Sequence, residues 1–249
     1  MKHHFLDKYS QLDSPVHRLD PRVKISAALA AIILITTEPV SGRLVHLAIY
    51  AVIILFIAGL SRIPVRYLLK RMLIISPFIL MAAIFYPVSQ VQISELSLIS
   101  DWRPLAEAGL SVFLKASLAL LILLLLSSTE KFHRLLRALR RMKVPSIVTT
   151  ISALLYRYIF LLSDERLKTA RARESRTPGV LRTNRLKVYG NQAAVIFYRS
   201  WERSQLIYQS MLSRGFTGEF PDTQEMKLRG SDIVFSLLFI GLLLLVKLF

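Results

Sequence analysis

Cysteine is absent from the chain. Disulfides, thiol nucleophiles and thiolate metal sites are therefore excluded. Acidic residues are scarce: 16 Asp and Glu stand against 33 Lys and Arg, a formal net charge of +17. A basic excess can mark a nucleic-acid binder. In a chain that is 53% hydrophobic, it reports instead cytoplasmic loops and anionic lipid headgroups, so no nucleic-acid partner is expected. The sequence also lacks a G-x-x-x-x-G-K-[ST] phosphate loop, an H-E-x-x-H pair and a discernible Ser-His-Asp set. The expectation is a protein that is not an enzyme and carries neither cofactor nor metal. Nor does the start resemble a cleavable leader. Met1-Lys2-His3-His4-Phe5 runs into a polar stretch with Asp7, Asp13 and Asp20, so the first apolar run is expected to stay as an anchor.

What the chain does have is apolar runs. They extend over Val23–Thr37, Leu44–Leu60, Met72–Val88, Ala108–Ser127 and Ile233–Phe249. Each is near the roughly 20 residues a helix needs to cross the hydrocarbon. The first is about one turn short, so Arg22 and Lys24 are expected to snorkel. The third is expected to break at Pro77 and end at Tyr86-Pro87. Basic residues then set direction. Residues 130–230 hold twenty Lys and Arg against eight Asp and Glu, whereas 38–43 and 89–107 hold one each. Five spans with the N-terminus inside put every rich segment in the cytoplasm. The fold class is thus all-α and polytopic, a multi-pass protein of the cytoplasmic (inner) membrane. It divides into a four-span domain over 1–127, a helical cytoplasmic region over 128–230 and a last span over 231–249.

The cytoplasmic region reads as helices. Phe132, Leu135, Leu136, Leu139 and Met142 repeat at helical spacing among Arg134, Arg137, Arg140 and Arg141, an amphipathic helix ended by Val144-Pro145. Ile147–Leu162 is apolar but carries Arg157, which would cost at least about 2.5 kcal/mol in lipid, so it is placed under the bundle. A charged helix over Asp164–Arg176 and a long one over Leu186–Arg214 follow. The second is terminated by Gly215, and its stripe of Phe197, Tyr198, Trp201 and Tyr208 is expected to form a seam between helices.

Two elements repeat a pattern. Ala172-Arg173-Glu174-Ser175-Arg176-Thr177 and Ser210-Met211-Leu212-Ser213-Arg214-Gly215 both read small-x-x-Ser-Arg-small at a helix end. Small residues one turn apart let a backbone settle into a groove, and a terminal Arg presents a planar fork to carboxylates or carbonyls. The ordinary alternative is a pair of solvated arginines. A third signal is Ser14-Pro15-Val16-His17-Arg18-Leu19-Asp20-Pro21-Arg22-Val23-Lys24. There Asp20 fits an N-cap and Pro21 the first helical position.

Together, the box containing Leu19, Asp20, Pro21 and Arg22, the basic helix ending in Arg140-Arg141-Met142-Lys143-Val144-Pro145, and the two Ser-Arg elements resemble the transmembrane T component of energy-coupling-factor transporters, in particular its CbiQ type serving cobalt uptake. The resemblance runs through almost the whole chain, in the family's order. It implies a non-catalytic scaffold joining two cytoplasmic ATP-binding cassette subunits to a substrate-binding membrane S component within the lipid bilayer. It further implies two coupling motifs, Ser175-Arg176-Thr177 and Ser213-Arg214-Gly215, that dock on the ATPases. Ser stands where the family has Ala in both, and Thr where it has Gly in the first. Ala172-Arg173-Glu174 is the alternative first match. A T component serving vitamin-binding subunits is the neighbouring reading. A stand-alone membrane enzyme or carrier is the reading from another class, and it lacks paired carboxylates or midplane charges.

Remaining polar residues are read modestly. His3 and His4 read as a basic tip and His46 as an interfacial polar residue. Lys115, two turns into its span, is expected to snorkel to the outer headgroups, with a functional role as the alternative.

Overall fold

The computed structural model describes residues 12, 14–39, 44–90, 102–176, 185–220 and 230–248. These residues form helices α1 (Pro15–Arg18), α2 (Pro21–Thr36), α3 (Leu44–Leu60), α4 (Val65–Gln90), α5 (Trp102–Thr129), α6 (Phe132–Arg141), α7 (Ser146–Arg176), α8 (Arg185–Leu212) and α9 (Gly230–Leu248). No strand occurs among them. The described residues fall into two compact units, one of residues 12–138 with 230–248 and one of residues 139–220.

Local chemistry starts the first unit. Ser14 caps α1 by accepting from the His17 amide, and Asp20 caps α2 by accepting from the Arg22 amide, each with a proline entering the helix. A proline there loses no hydrogen bond, because first-turn amides have no helical partner. In α2, Ala27, Ala28, Ala31 and Ile35 make one buried face. These small side chains let it pack closely on α5 and α9. Around that face sit Leu47, Tyr50 and Ile54 of α3, Leu118, Leu121 and Leu125 of α5, and Leu243 and Val246 of α9.

Helix α4 departs from the sequence expectation, for it runs through both Pro77 and Pro87. Pro77 has no amide to give the Leu73 carbonyl one turn earlier. The Ser76 hydroxyl donates to that carbonyl at 3.0 Å instead, so the helix survives in an apolar setting. α4 packs on α5, and the approach is tightest at Gly109. A Cβ there would lie 2.9 Å from the Ala83 carbonyl oxygen.

By length and composition α4, α5 and α9 can cross a membrane, α3 is a shorter apolar helix, and α7 also meets the criterion. α2, with 16 residues, is roughly 24 Å long.

The second unit contains α7 and α8. Ile147–Leu162 and Asp164–Arg176 are one continuous helix of 31 residues, because no glycine or proline lies between them to stop it. Glu165 meets Arg199 at 2.9 Å, while Arg173 lies over the Tyr189 ring at 5.2 Å. Rising numbers on α7 thus meet falling numbers on α8: the pair is antiparallel. Polar contacts tie the seam of the pair toward the end of α7, while Leu154 and Tyr158 of α7 and Ile207 and Met211 of α8 line it at the other end. The aromatic stripe expected to form it faces outward instead, with Phe197 71% and Trp201 59% exposed. Apolar Ile147, Ile151, Leu155 and Ile159 on α7 are exposed too. Uncovered apolar surface on this scale marks a face made for another molecule or for lipid.

Candidate coupling site

The second Ser-Arg motif closes α8. The Phe216 amide donates to the Met211 carbonyl at 3.0 Å and the Gly215 amide to the Leu212 carbonyl at 3.0 Å. This termination needs a left-handed residue, and Gly215 supplies it with φ of +79°. Ser213 and Arg214 form the exposed turn between the last helical residue and that glycine. Beyond it the chain folds back. The Phe216 and Phe220 rings pack at 5.3 Å, and the Arg140 guanidinium bonds the Glu219 carboxylate and, at 2.6 Å, the Phe220 carbonyl. A hydrogen bond from the Ser146 side chain, then the Arg140 charge, hold the Glu219 carboxyl below its ordinary range.

Arg214 lines a cleft of about 870 Å³. Arg140, Arg157 and Arg203 share its lining, with Glu219 as the one carboxylate. Among the described residues neither Arg203 nor Arg214 has an acidic partner within salt-bridge distance. The cleft thus presents unneutralised, exposed guanidinium groups suited to a carboxylate-bearing or carbonyl-rich surface.

The first motif ends α7. Ser175 is exposed, its hydroxyl turned back on the Ala172 carbonyl at 3.0 Å. Arg176 is the last helical residue, and Thr177 lies outside the described residues. Arg173, the alternative, is engaged within the unit. It covers Tyr189, reaches Gln192 Oε1 at 3.4 Å and lies 3.6 Å from Glu174. The two motifs are not brought together. α8 has 28 residues, so at 1.5 Å each they are separated by roughly 42 Å of antiparallel helix pair.

The N-terminal box lies in the other unit and is buried. Leu19, Asp20 and Pro21 are enclosed, and Arg22 is half-buried. Lys24, expected to snorkel, does not. Its ammonium bonds the buried Glu130 carboxylate and donates to the His17 carbonyl at 3.3 Å. Lys115 also departs from expectation. It is 8% exposed and donates to the Glu38 carbonyl. α5 packs on α2, so a nearby internal acceptor replaces the route to the headgroups.

Glu38 gathers a polar cluster that the sequence reading missed. Its Oε1 lies 3.1 Å from the Tyr50 hydroxyl, and its Oε2 lies 3.9 Å from His46 Nδ1. The clue was Lys115 itself, since an ionisable residue within a span implies a partner. Among the described residues no group of three His, Cys, Asp or Glu could hold a metal ion. His3 and His4 lie outside them.

An all-helical, multi-pass membrane protein with paired basic motifs on a separate helical unit is the class these features define. Comparison with known proteins places it further: the chain belongs to the CbiQ family, described as cobalt transport protein, which matches residues 13–226. An uncharacterized protein of Methanocaldococcus jannaschii is 27% identical, covering 98% of this chain and 86% of its own length. The energy-coupling factor transporter transmembrane protein EcfT of Staphylococcus aureus is 27% identical over 90% of this chain and 88% of its own. That of Acidaminococcus fermentans is 26% identical over 86% and 83%. The chain is accordingly a membrane component of an energy-coupling-factor type of transporter, a class of transport protein and not of enzyme.

Proposed function

We propose that this chain is the coupling subunit of an importer, most directly for cobalt, and that it passes ATPase motion to a substrate-binding membrane subunit. The cobalt assignment is supported by the family description, and the coupling role by the relatives named EcfT. In this reading the N-terminus is cytoplasmic. Five helices (α2, α3, α4, α5 and α9) lie in the membrane, and α7 stays in the cytoplasm because Arg157 sits within its apolar half. The region 128–230 is the coupling region between the four-span domain 1–127 and the last span 231–249.

One observation carries the docking assignment. Two like motifs, each ending a helix, stand at opposite ends of one antiparallel pair. An asymmetric chain can engage two like ATPase subunits only by presenting two similar plugs set well apart. Ser175-Arg176-Thr177 serves one and Ser213-Arg214-Gly215 the other. The engagement of Arg173 with α8 favours Arg176 over Arg173 as the docking arginine of the first. The exposed apolar faces of α7 and α8 suit the bilayer or the substrate-binding subunit.

The test is co-purification of the ATPases with Arg176→Ala, Arg214→Ala and the double variant, with exposed Arg171→Ala as control. Each single change is expected to weaken binding by about 2–5 kcal/mol, and the double change to release both subunits. Lys is expected to substitute poorly, lacking the planar fork. A double variant that retains the ATPases as well as Arg171→Ala does would overturn the assignment.

A further inference from the structure

Glu130 is 1% exposed and lies between α5, which ends at Thr129, and α6, which begins at Phe132. Its carboxylate bonds Lys24 of α2, and Arg134 of α6 stands 3.5 Å from its second oxygen. Lys24 in turn holds the His17 carbonyl of α1. Asp20 is the α2 cap one turn before Lys24. The buried Lys24–Glu130 pair, with the partly exposed Arg134 at its edge, thus joins α1, α2 and the α5–α6 junction. The α6 face that follows, with Leu136 and Ala138, is buried as well.

A buried ion pair is a poor choice for stability alone, since well-packed apolar residues of similar size often do as well or better. What it provides is geometry: two charges removed from water are satisfied in one arrangement and few others. The arrangement here sits where the chain leaves its fourth expected span and enters the basic helix that leads to α7. Without such a tie, a push arriving along α6 would be absorbed by bending at residues 130 and 131. With it, the push reaches α2 and α5, whose faces form the membrane core.

We propose that Glu130, held by Lys24 and Arg134, is a positioning residue that makes the α5–α6 junction stiff, so that ATP hydrolysis is converted into movement of the membrane helices. The proposal rests on the coupling function put forward above. It gives the N-terminal box a task beyond starting α2, because the box supplies Lys24 and the carbonyl that orients it.

The experiment uses the whole complex, this chain with its ATPases and substrate-binding subunit, in proteoliposomes. Cobalt(II) uptake and ATP hydrolysis are measured together. In Glu130→Gln the ATPases stay bound and hydrolysis stays within about twofold, while cobalt moved per ATP falls about tenfold, within the range by which residues joining two sites alter coupling. Lys24→Gln with Glu130→Gln removes both halves of the ion pair together, so neither is left facing a missing partner, and it folds even where the single change does not. Its ratio falls too, while the exchanged pair Lys24→Glu with Glu130→Lys regains part of it. A purely structural role would instead lower uptake and hydrolysis together, in proportion to assembled complex. If the wild-type complex couples and the variants move as much cobalt per ATP, the positioning role is overturned and the coupling function stands. If the wild-type complex moves no cobalt, both are overturned.

Discussion

Removing one oxygen from Tyr50 tests the buried cluster around Glu38. The Tyr50 side chain is fully enclosed, and its hydroxyl lies 3.1 Å from Glu38 Oε1 and 3.3 Å from the Leu243 carbonyl. Having one proton, it donates to the carboxylate. Tyr50→Phe keeps the ring and its packing and deletes only that donor. Hydrogen bonds between membrane helices average about 0.6 kcal/mol in double-mutant cycles, whereas bonds to charged groups reach about 1.5–3 kcal/mol. Here the acceptor is a buried carboxylate whose other oxygen has no hydrogen-bond partner among the described residues. The expected loss therefore falls between these figures, at about 1–2 kcal/mol. For a chain of this size that lowers the melting temperature by about 2–8 °C. Thermal unfolding in one detergent, at one scan rate, compares wild type, Tyr50→Phe, Glu38→Gln and the double variant. Glu38→Gln leaves untouched the Lys115 bond, which uses the Glu38 backbone carbonyl, so the cycle isolates the side-chain pair. Additive effects, with no coupling between the two changes, would show that the hydroxyl does not serve the carboxylate.

Gly109→Val is expected to destabilise the first unit by about 1–3 kcal/mol, because the Ala83 carbonyl that the new Cβ would meet is backbone and cannot step aside. Thermal melts alongside Gly59→Val, where a Cβ meets nothing, check it. Glu219 has a lowered pKa, so its contribution to the Arg140 clasp is present above the ordinary carboxylate range and lost as pH falls through the folded value. Protection of the Phe216–Phe220 amides, read as exchange relative to the intrinsic rate at each pH, should therefore fall in acid, and Glu219→Gln should remove most of that pH dependence. For topology, Ser200→Cys and Ser94→Cys in this cysteine-free chain should label oppositely with an impermeant thiol reagent in intact cells. Labelling of Ser200→Cys from outside would overturn the cytoplasmic placement of α8.

Local signals were the readable part of this fold. Ser14-Pro15 and Asp20-Pro21 announce helix starts, and Gly215 announces an end, because each residue acts on backbone groups within one turn of itself. Failures came where a local rule had a local answer beside it. Pro77 reads as a break until the Ser76 hydroxyl is seen serving the Leu73 carbonyl. Asp164 and Glu165 read as the start of a new helix, although polarity alone does not stop one. The aromatic stripe of α8 follows the period of a buried face, yet period locates a face and does not say what covers it. With α7 occupying another side of α8, Phe197 and Trp201 are left to lipid or a partner chain.

The charged residues within the apolar runs teach a different lesson. Lys24 and Lys115 were both assigned to snorkelling, a solution each could reach alone. Both instead found partners far along the chain: Glu130 lies 106 residues from Lys24, and Glu38 lies 77 residues from Lys115. A sequence states the cost of a charge in lipid, and that cost predicts that some partner exists. It does not say which, because the choice depends on how α2 and α5 pack. That packing is set by small residues such as Ala28 and Ala31, which carry no charge signal. Glu130 shows the consequence most plainly. Read along the chain, it is one acid at the head of an arginine-rich segment, indistinguishable from a solvated counter-ion. Folded, it is among the least exposed side chains of the protein and the point where three segments of the chain meet.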